Sequence, residues 1–227
     1  MHETSIANAR VRTATTVAHS DHPDLAAAAA SWRSGLPVLR GRLLTLRELR
    51  VDDGSALLPL ITAPEVARFM SPTPEAPDWF ASFVSATGRE RMAGRYAGFA
   101  IVPDAADHPV GLVQIRQLEP GFTTAEWGIA LGSAWWGQGL FADAGRLILA
   151  FAFDTLGVHR LEARVASQNA RGNAAVGKLG AVAEGMLRRA LRTADGTEHD
   201  QVLWAWLRDE WRRDRSRRTA EEAVWVH

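Results

Sequence analysis

Residues 133–144 read SAWWGQGLFADA, with two tryptophans directly before a Gly-Gln-Gly turn and an apolar, alanine-containing segment. Glycine adopts backbone angles that other residues avoid, so an ordinary strand-to-helix turn is one explanation. The stretch contains no basic residue. If it binds an anion, it must use backbone N–H groups and the dipole of the following helix, which glycines make closely approachable.

Two ligand-binding interpretations stand beside the ordinary turn. The segment GQGLFA matches the dinucleotide fingerprint G-x-G-x-x-[GA], which should follow a strand and open a helix. The next predicted strand, HRLEARVA at 159–166, ends without the acidic residue that would hold a ribose, which weighs against that interpretation. The third interpretation is a backbone cradle for the pyrophosphate of an acyl-CoA.

The flanking segments predict a mixed sheet. Alternating residues indicate antiparallel strands at 96–103, 108–118 and 123–131, followed by a helix at 139–157 that Gly157 caps. A strand at 159–166, a short helix at 169–181 and a hairpin then complete the pattern. One strand–helix–strand crossover within otherwise antiparallel strands predicts a single α+β domain.

The N-terminal half predicts helices around one strand. Residues 42–50 are strand-like, and short helices are expected after residue 51, at 64–70 and at 78–93, with a proline-rich loop at 71–77. We expect residues 1–35 to be a flexible extension, because they lack a periodic apolar pattern. The predicted domain is 36–211, and 212–227 is a charged tail or helix.

Composition excludes several classes of protein. The 227 residues carry 26 basic and 26 acidic side chains, so no global charge attracts nucleic acid or an anionic membrane. The chain has no cysteine, which excludes disulfides, thiol nucleophiles and cysteine-bound metal. No secretory signal or membrane-length apolar run is evident, so we expect a cytoplasmic protein. Its nine tryptophans suit either a large core or an apolar interface, as in a homodimer.

Several segments together resemble the GNAT superfamily of N-acetyltransferases, in particular its Rim-type branch of ribosomal-protein alanine and serine acetyltransferases. The resemblance runs from about Arg42 to Trp211. It rests on LLTLRELRVDD, PEVARFM, AEWGIAL, WWGQGLFADA, FDTLGVHRLEARV, QNARGNAAVGKLGA and EGMLRRA…VLWAWLRDEW, in the family's order. It implies the GNAT fold, a mixed, mostly antiparallel twisted sheet flanked by helices, with acetyl-CoA as acyl donor and no metal.

The resemblance also implies a set of cofactor-binding residues. The family's phosphate signature, Q/R-x-x-G-x-G/A, covers Trp136, Gly137, Gln138, Gly139, Leu140 and Phe141, with Phe141 standing where a small residue is usual. The preceding strand should splay from its neighbour and offer the backbone of Ile129, Ala130 and Leu131 to the pantetheine arm, one N–H serving as oxyanion donor. Asn169 and Asn173 are expected to contact cofactor or acceptor, although a helix N-cap would also explain Asn169.

Glu126, three residues before Ile129, is the predicted catalytic base. The alternatives are a glutamate exposed on an edge strand and the histidines at 108, 159 and 199. No general acid is predicted, because the positions where relatives place serine or tyrosine hold Gly172 and AAVGK, and the single tyrosine, Tyr96, is remote in sequence. The thiolate would then leave unassisted or through water.

These features predict an acetyl-CoA-dependent N-acetyltransferase acting on a primary amine, with the N-terminal amine of a protein as the favoured acceptor. A small amine such as an amino acid, polyamine or antibiotic is the alternative acceptor. A GNAT-fold module that binds acyl-CoA without turnover is an alternative of another class. Transfer of a larger acyl group such as succinyl would need a cation near the acyl end, and the sequence indicates none.

Overall fold

The computed structural model describes residues 32–70, 78–193 and 195–214. The predicted proline-rich loop at 71–77, most of the predicted extension and the end of the predicted tail lie outside these residues. In chain order the elements are β1 Leu39–Arg40, β2 Leu44–Glu48, α1 Gly54–Ile61, α2 Pro64–Ala67, α3 Trp79–Met92, β3 Tyr96–Pro103, β4 Gly111–Gln117, β5 Thr124–Leu131, α4 Leu140–Ala150, β6 Arg160–Ala166, α5 Ala170–Lys178, β7 Val182–Arg192 and β8 Glu198–Leu207. A last helical segment, α6, occupies residues 208–214.

The described strands form one eight-stranded sheet in the order β1-β2-β3-β4-β5-β6-β8-β7. Every neighbouring pair is antiparallel except β5 and β6, which are parallel because α4 connects them as a crossover. The mixed, mostly antiparallel sheet predicted from the sequence is therefore confirmed.

The parallel pair β5–β6 separates after three residue pairs. Thr124, Ala125 and Glu126 lie opposite residues 160–162, and no pair follows. Beyond this point β5 keeps its pairing with β4 as far as Leu131, while β6 pairs with β8 along its whole length. Each strand follows its other neighbour, so a wedge opens in the sheet from Trp127 onward.

Two apolar cores lie on opposite faces of the sheet. The alternating residues Ala97, Phe99 and Ile101 of β3 join a core against α4, whereas Ala100 joins a second core with α1–α3. We call the α4 face the back of the sheet and the α1–α3 face its front. The wedge connects the two faces.

Buried Asp143 ties α4 to the segment before β2. Its Oδ2 accepts hydrogen bonds from the backbone N–H groups of Arg42 and Leu43, both at 2.8 Å. Gly41 makes this approach possible, since a Cβ there would lie 2.3 Å from Oδ2. The carboxylate also occupies the first turn of α4, where negative charge favours the helix dipole. Asp143 is therefore structural.

The helical boundaries differ modestly from prediction. The predicted helix at 139–157 ends as α-helix at Ala150 and continues as a π-helical turn, with Gly157 at φ +76° after it. Trp32, which precedes the predicted domain start at residue 36, is 2% exposed and packs edge-on against Phe122. Helix α6 runs through the predicted boundary at 211 to at least residue 214.

Candidate active site

A cleft of about 1500 Å³ occupies the wedge between β5 and β6. On the front it is bounded by residues of α1–α3, and on the back by residues of α4 and α5. The glycine turn and the start of α5 face its mouth through Gly137, Gly139 and Arg171. The strand separation therefore creates an apolar-walled channel that passes through the sheet.

The glycine turn leaves a run of backbone donors free. Gly137 and Gly139 have φ of +78° and +84°, the left-handed region that favours glycine. The first N–H of α4 to find a backbone acceptor is that of Asp143, which bonds to the carbonyl of Gly139. The N–H groups of residues 140–142 thus have no intrahelical acceptor, as at any helix N-terminus, and an anion can bind there.

The aromatic residues around the turn form its walls. Trp136 is held by a hydrogen bond from its Nε1–H to the carbonyl of Leu131 at 2.8 Å. Phe141 lines the cleft and packs against Trp127, with ring centroids 5.9 Å apart. It therefore both narrows the cleft and contacts the core.

The register of β5 distinguishes among the three predicted backbone donors. The N–H of Gly132 donates to the carbonyl of Val110, which directly precedes β4. Backbone N–H and C=O groups alternate in direction along a strand, so those of every second residue before Gly132 also point toward β4. Ala130 therefore pairs with β4, whereas Ile129 and Leu131 direct their backbone groups toward the wedge. We therefore restrict the predicted backbone contacts with acetyl-CoA to Ile129 and Leu131.

Glu126 lies at the last residue pair before the wedge opens and is not among the residues that line the cleft. Its Oε2 accepts a hydrogen bond from Arg116 at 2.5 Å and lies 3.6 Å from Arg164. Its Oε1 has no hydrogen-bond partner among the described residues. A proton could thus be accepted at Oε1, through water from the cleft.

Six alternating charges cross the front of the sheet at this closed end of the wedge. Arg164 also contacts Glu162, and Arg160 bridges Glu162 and Glu184 with Nε to Glu162 at 2.8 Å and both Nη atoms on Glu184. We call these six residues the charge ladder: Arg116, Glu126, Arg164, Glu162, Arg160 and Glu184. The ladder joins β4, β5, β6 and β7, and its formal charges cancel.

The two predicted asparagines have structural partners. Asn169 caps α5, its Oδ1 accepting the N–H of Gly172 at 2.9 Å, and it also lines the cleft. Asn173 donates to two backbone carbonyls and accepts from the indole of Trp204 at 2.9 Å. A cofactor contact by Asn173 would require these bonds to break, whereas Asn169 can reach the cleft with its cap intact.

Gly172 fits the cap that it helps to form. A Cβ at this position would lie 2.7 Å from Nδ2 of Asn169. A serine here would require the Asn169 side chain to shift.

The histidines lie away from the cleft, and none of the three lines it. His108 is exposed and contacts Asp107, while His199 packs edge-on against Phe69 beside a smaller cavity of about 400 Å³. No group of three metal-ligating side chains occurs among the described residues, and none of their helices has the length and hydropathy of a membrane span.

Two cleft residues were missed by sequence reasoning. The Arg171 guanidinium stacks on the ring of Trp136, with Cζ 4.1 Å from the centroid, and so bridges α5 and the glycine turn. Gln114 lines the cleft and accepts a hydrogen bond from the Tyr96 hydroxyl, which brings the single tyrosine to the site despite its distance in sequence. Arg171 lies within the QNARGNAAVGKLGA segment but was not among its predicted site residues, and only the strand register reveals Gln114.

Known proteins share this architecture. Residues 43–182 match the family model described as an acetyltransferase (GNAT) domain. The chain is 27% identical over 173 residues to the uncharacterized N-acetyltransferase p20 of Bacillus licheniformis, covering 74% of this chain and 94% of that protein. A crystal structure described as an acetyltransferase from T. thermophilus is 30% identical, with TM-score 0.67, covering 81% of this chain and 96% of that one.

Another solved structure links the fold to coenzyme A. RimJ of Mycobacterium smegmatis, solved in complex with CoA-disulfide, is 26% identical with TM-score 0.67, covering 77% of this chain and 87% of that one. The family model spans more than half of the chain. The chain therefore belongs to the GNAT family of N-acetyltransferases.

Proposed function

We propose that the chain transfers the acetyl group of acetyl-CoA to the N-terminal amine of a protein in the cytoplasm. The observation that supports it most directly is the wedge, because it exposes backbone donors of β5 opposite a helix N-terminus with unpaired N–H groups. A thioester and a pyrophosphate need those two features at the two ends of one channel. The resemblance of the sequence to the Rim-type branch of ribosomal-protein acetyltransferases supports the choice of acceptor.

The residues present fit the donor without a metal. The N–H groups of residues 137–142 would bind the pyrophosphate, and Arg171 would add the positive charge that the turn itself lacks. The N–H groups of Ile129 and Leu131 would hold the thioester arm, and that of Ile129 would stabilise the oxyanion. Acetyl-CoA supplies the activated acyl carbon.

The remaining steps concern protons. The neutral amine attacks the thioester carbonyl, the C–N bond forms, and the C–S bond breaks with the electron pair leaving on sulfur. Glu126 Oε1 would take the amine proton through water. Because Gly172 replaces the hydroxyl of relatives, the thiolate leaves unprotonated or takes its proton from water.

A small-amine acceptor is the second candidate, favoured by one observation. On the front of the sheet the cleft is bounded by Trp79 and Phe83, which stack with ring centroids 4.9 Å apart and planes 6° from parallel. Such an aromatic wall also suits a small apolar amine.

The test combines binding and turnover. Acetyl-CoA would be titrated into the purified protein by calorimetry, and thiol release would then be followed with alanine- and serine-starting peptides, amino acids, polyamines and aminoglycosides. Release with peptides supports the proposal, and release with small amines alone supports the second candidate. Binding without release from any amine would identify a non-catalytic module, and absence of binding would reject the cradle.

A further inference from the structure

Gln114 lies in a row of small residues across the front of the sheet. In register, Gln114 of β4 stands between Gly98 of β3 and Gly128 of β5. Because both neighbours lack a side chain, the glutamine can lie along the sheet surface. A Cβ built on Gly128 would be 3.4 Å from Gln114 Nε2, so the amide nitrogen lies over Gly128, at the edge of the wedge.

Tyr96 fixes which end of the amide faces the cleft. Its hydroxyl donates to Gln114 Oε1, and its ring lies over Gly98, where a Cβ would be 2.9 Å from Tyr96 Cε1. Burial raises the pKa of the Tyr96 phenol well above its ordinary value, so the phenol remains a donor at neutral pH. With Oε1 engaged, the glutamine presents its NH₂ group to the cleft.

The amide nitrogen has no hydrogen-bond partner among the described residues. The front of the cleft is otherwise lined mainly by apolar side chains: Ile61, Val66, Met70, Trp79, Phe83 and Leu112. A polar group fixed in an apolar wall is the usual means by which a pocket orients a ligand and selects it. An N–H donor left unpaired when a ligand excludes water is costly, so the matching ligand brings an acceptor atom.

We propose that Gln114 Nε2, oriented by Tyr96, donates a hydrogen bond to a carbonyl oxygen of the acceptor, close to its reacting amine. This inference rests on the proposed function and specifies its substrate class. Gly128 adjoins Ile129, the proposed oxyanion donor, so an amine at the thioester has its nearest carbonyl beside Gln114. Amino-acid amides and peptide N-termini have such a carbonyl, whereas alkylamines and polyamines do not.

The experiment compares two acceptors in wild-type protein and variants. The acceptors are trialanine amide and its analogue in which the first carbonyl is reduced to CH₂. We expect wild type to favour the ordinary peptide by about tenfold in kcat/KM, the range of one hydrogen bond in an apolar site. Gln114→Ala should remove that preference by slowing only the ordinary peptide. If the reduced peptide reacts too slowly, its inhibition constant against the ordinary one replaces kcat/KM.

The variants separate positioning from folding. Tyr96→Phe keeps the ring but removes the hydrogen bond to the glutamine. Its preference for the ordinary peptide in kcat/KM should fall from about tenfold to about threefold. Gln117→Ala removes a matched amide on the same strand, outside the cleft, and should change nothing. The Kd of acetyl-CoA should stay within about twofold in every variant, which shows that the donor site is intact.

Three outcomes would overturn the inference. One is equal use of both peptides by wild type. Another is an equal loss with both peptides in Gln114→Ala, which would make Gln114 an oxyanion donor instead. The third is a tenfold rise in the Kd of acetyl-CoA in Gln114→Ala, which would mean that Gln114 contacts acetyl-CoA rather than the acceptor. Absence of transfer to any amine in wild type would reject the proposed function itself, and is distinguishable from all three.

Discussion

The two ends of the β5–β6 pair are built on different chemical principles. At the closed end, residues 124–126 pair with β6 and the charge ladder crosses four strands. At the open end, residues 127–131 lack a β6 partner, and the groups available to a ligand include the backbone N–H groups of Ile129 and Leu131 and the amide of Gln114. Polar side chains at the closed end are paired with one another, whereas donors at the open end lack protein partners.

This difference predicts which substitutions should lower stability and which should weaken ligand binding. Removing a ladder residue leaves a partner charge unpaired in a half-buried site, so it should act mainly on folding. Altering the open end removes groups that have no protein partner, so it should act on ligand binding with little effect on folding. Glu126 tests the boundary, since its contacts belong to the ladder and its proposed role belongs to catalysis.

The largest expected effect is that of Glu126→Gln. If Oε1 takes the amine proton, kcat should fall about 100-fold at neutral pH, the usual contribution of a general base. Steady-state rates between pH 5 and 9 provide the measurement.

Glu162→Gln is the matched control, because Glu162 lies opposite Glu126 in the β5–β6 register and belongs to the same charge ladder. It should lower the free energy of unfolding and keep kcat. If both variants lost the same stability and kept kcat, Glu126 would be purely structural, and bulk water would be the remaining acceptor of the amine proton.

Two glycines of equal strain sharpen the comparison next. Gly137 and Gly121 have φ of +78° and +76°, and a Cβ on either meets nothing within 4 Å. Alanine at either site should cost about 1–2 kcal/mol of stability, the penalty of left-handed backbone. Only Gly137→Ala should also raise the Kd of acetyl-CoA, by about tenfold, since the methyl group stands in the cradle. Calorimetric titration beside urea unfolding checks this, and similar Kd values for the two variants would argue against a cradle at residue 137.

The sequence predicted the elements well because each depends on local patterns. The period-2 alternation of Ala97, Phe99 and Ile101 and the caps at Gly157 and Asn169 involve neighbours only. The free N–H groups at the start of α4 were predictable for the same reason, since they belong to consecutive backbone residues; that they bind a pyrophosphate stays a prediction. The branch resemblance supplied the separation of β5 from its neighbour, which no local pattern encodes.

Long-range side-chain contacts could not be predicted. Tyr96 and Gln114 are 18 residues apart, and Asp143 contacts a segment 100 residues away, so only strand order and register bring them together. Ala130 shows the converse limit. Whether its backbone groups point toward β4 or toward the wedge depends on which residues of β4 and β5 form hydrogen-bonded pairs, and residue identity does not determine that.

A smaller effect is expected from Arg171, a side chain at the otherwise backbone-built mouth. Arg171→Ala should raise the Kd of acetyl-CoA about fivefold and weaken its salt dependence, because one positive charge beside the pyrophosphate is lost. Arg68→Ala removes a comparable guanidinium, 4.5 Å from the Phe69 ring at the front of the cleft, and should leave that Kd unchanged. Identical effects of the two variants would indicate a general contribution of charge rather than a contact at the cradle.

The smallest expected effect concerns the outer end of the charge ladder. Arg160 donates both Nη groups to Glu184, at 2.8 and 2.5 Å, and lowers the pKa of that carboxyl below its ordinary 4.5. A lowered folded-state pKa means that the stabilisation is complete above pH 4.5 and disappears as pH falls through the folded value. Because Glu184 is 36% exposed, solvent screening keeps the contribution under about 1 kcal/mol.

Glu184→Gln should therefore reduce the free energy of unfolding by a constant amount from about pH 7 to 5, and the difference from wild type should shrink below pH 4.5. Urea unfolding at a series of pH values provides the measurement. Glu198→Gln is the control: its nearest arginine nitrogen lies 3.6 Å away, so this substitution should reduce the free energy of unfolding at about pH 7 by less than Glu184→Gln does. A Glu184→Gln deficit that persists unchanged at about pH 3.5 would show that the residue acts through packing at the β7 bulge and that the ladder ends at Arg160.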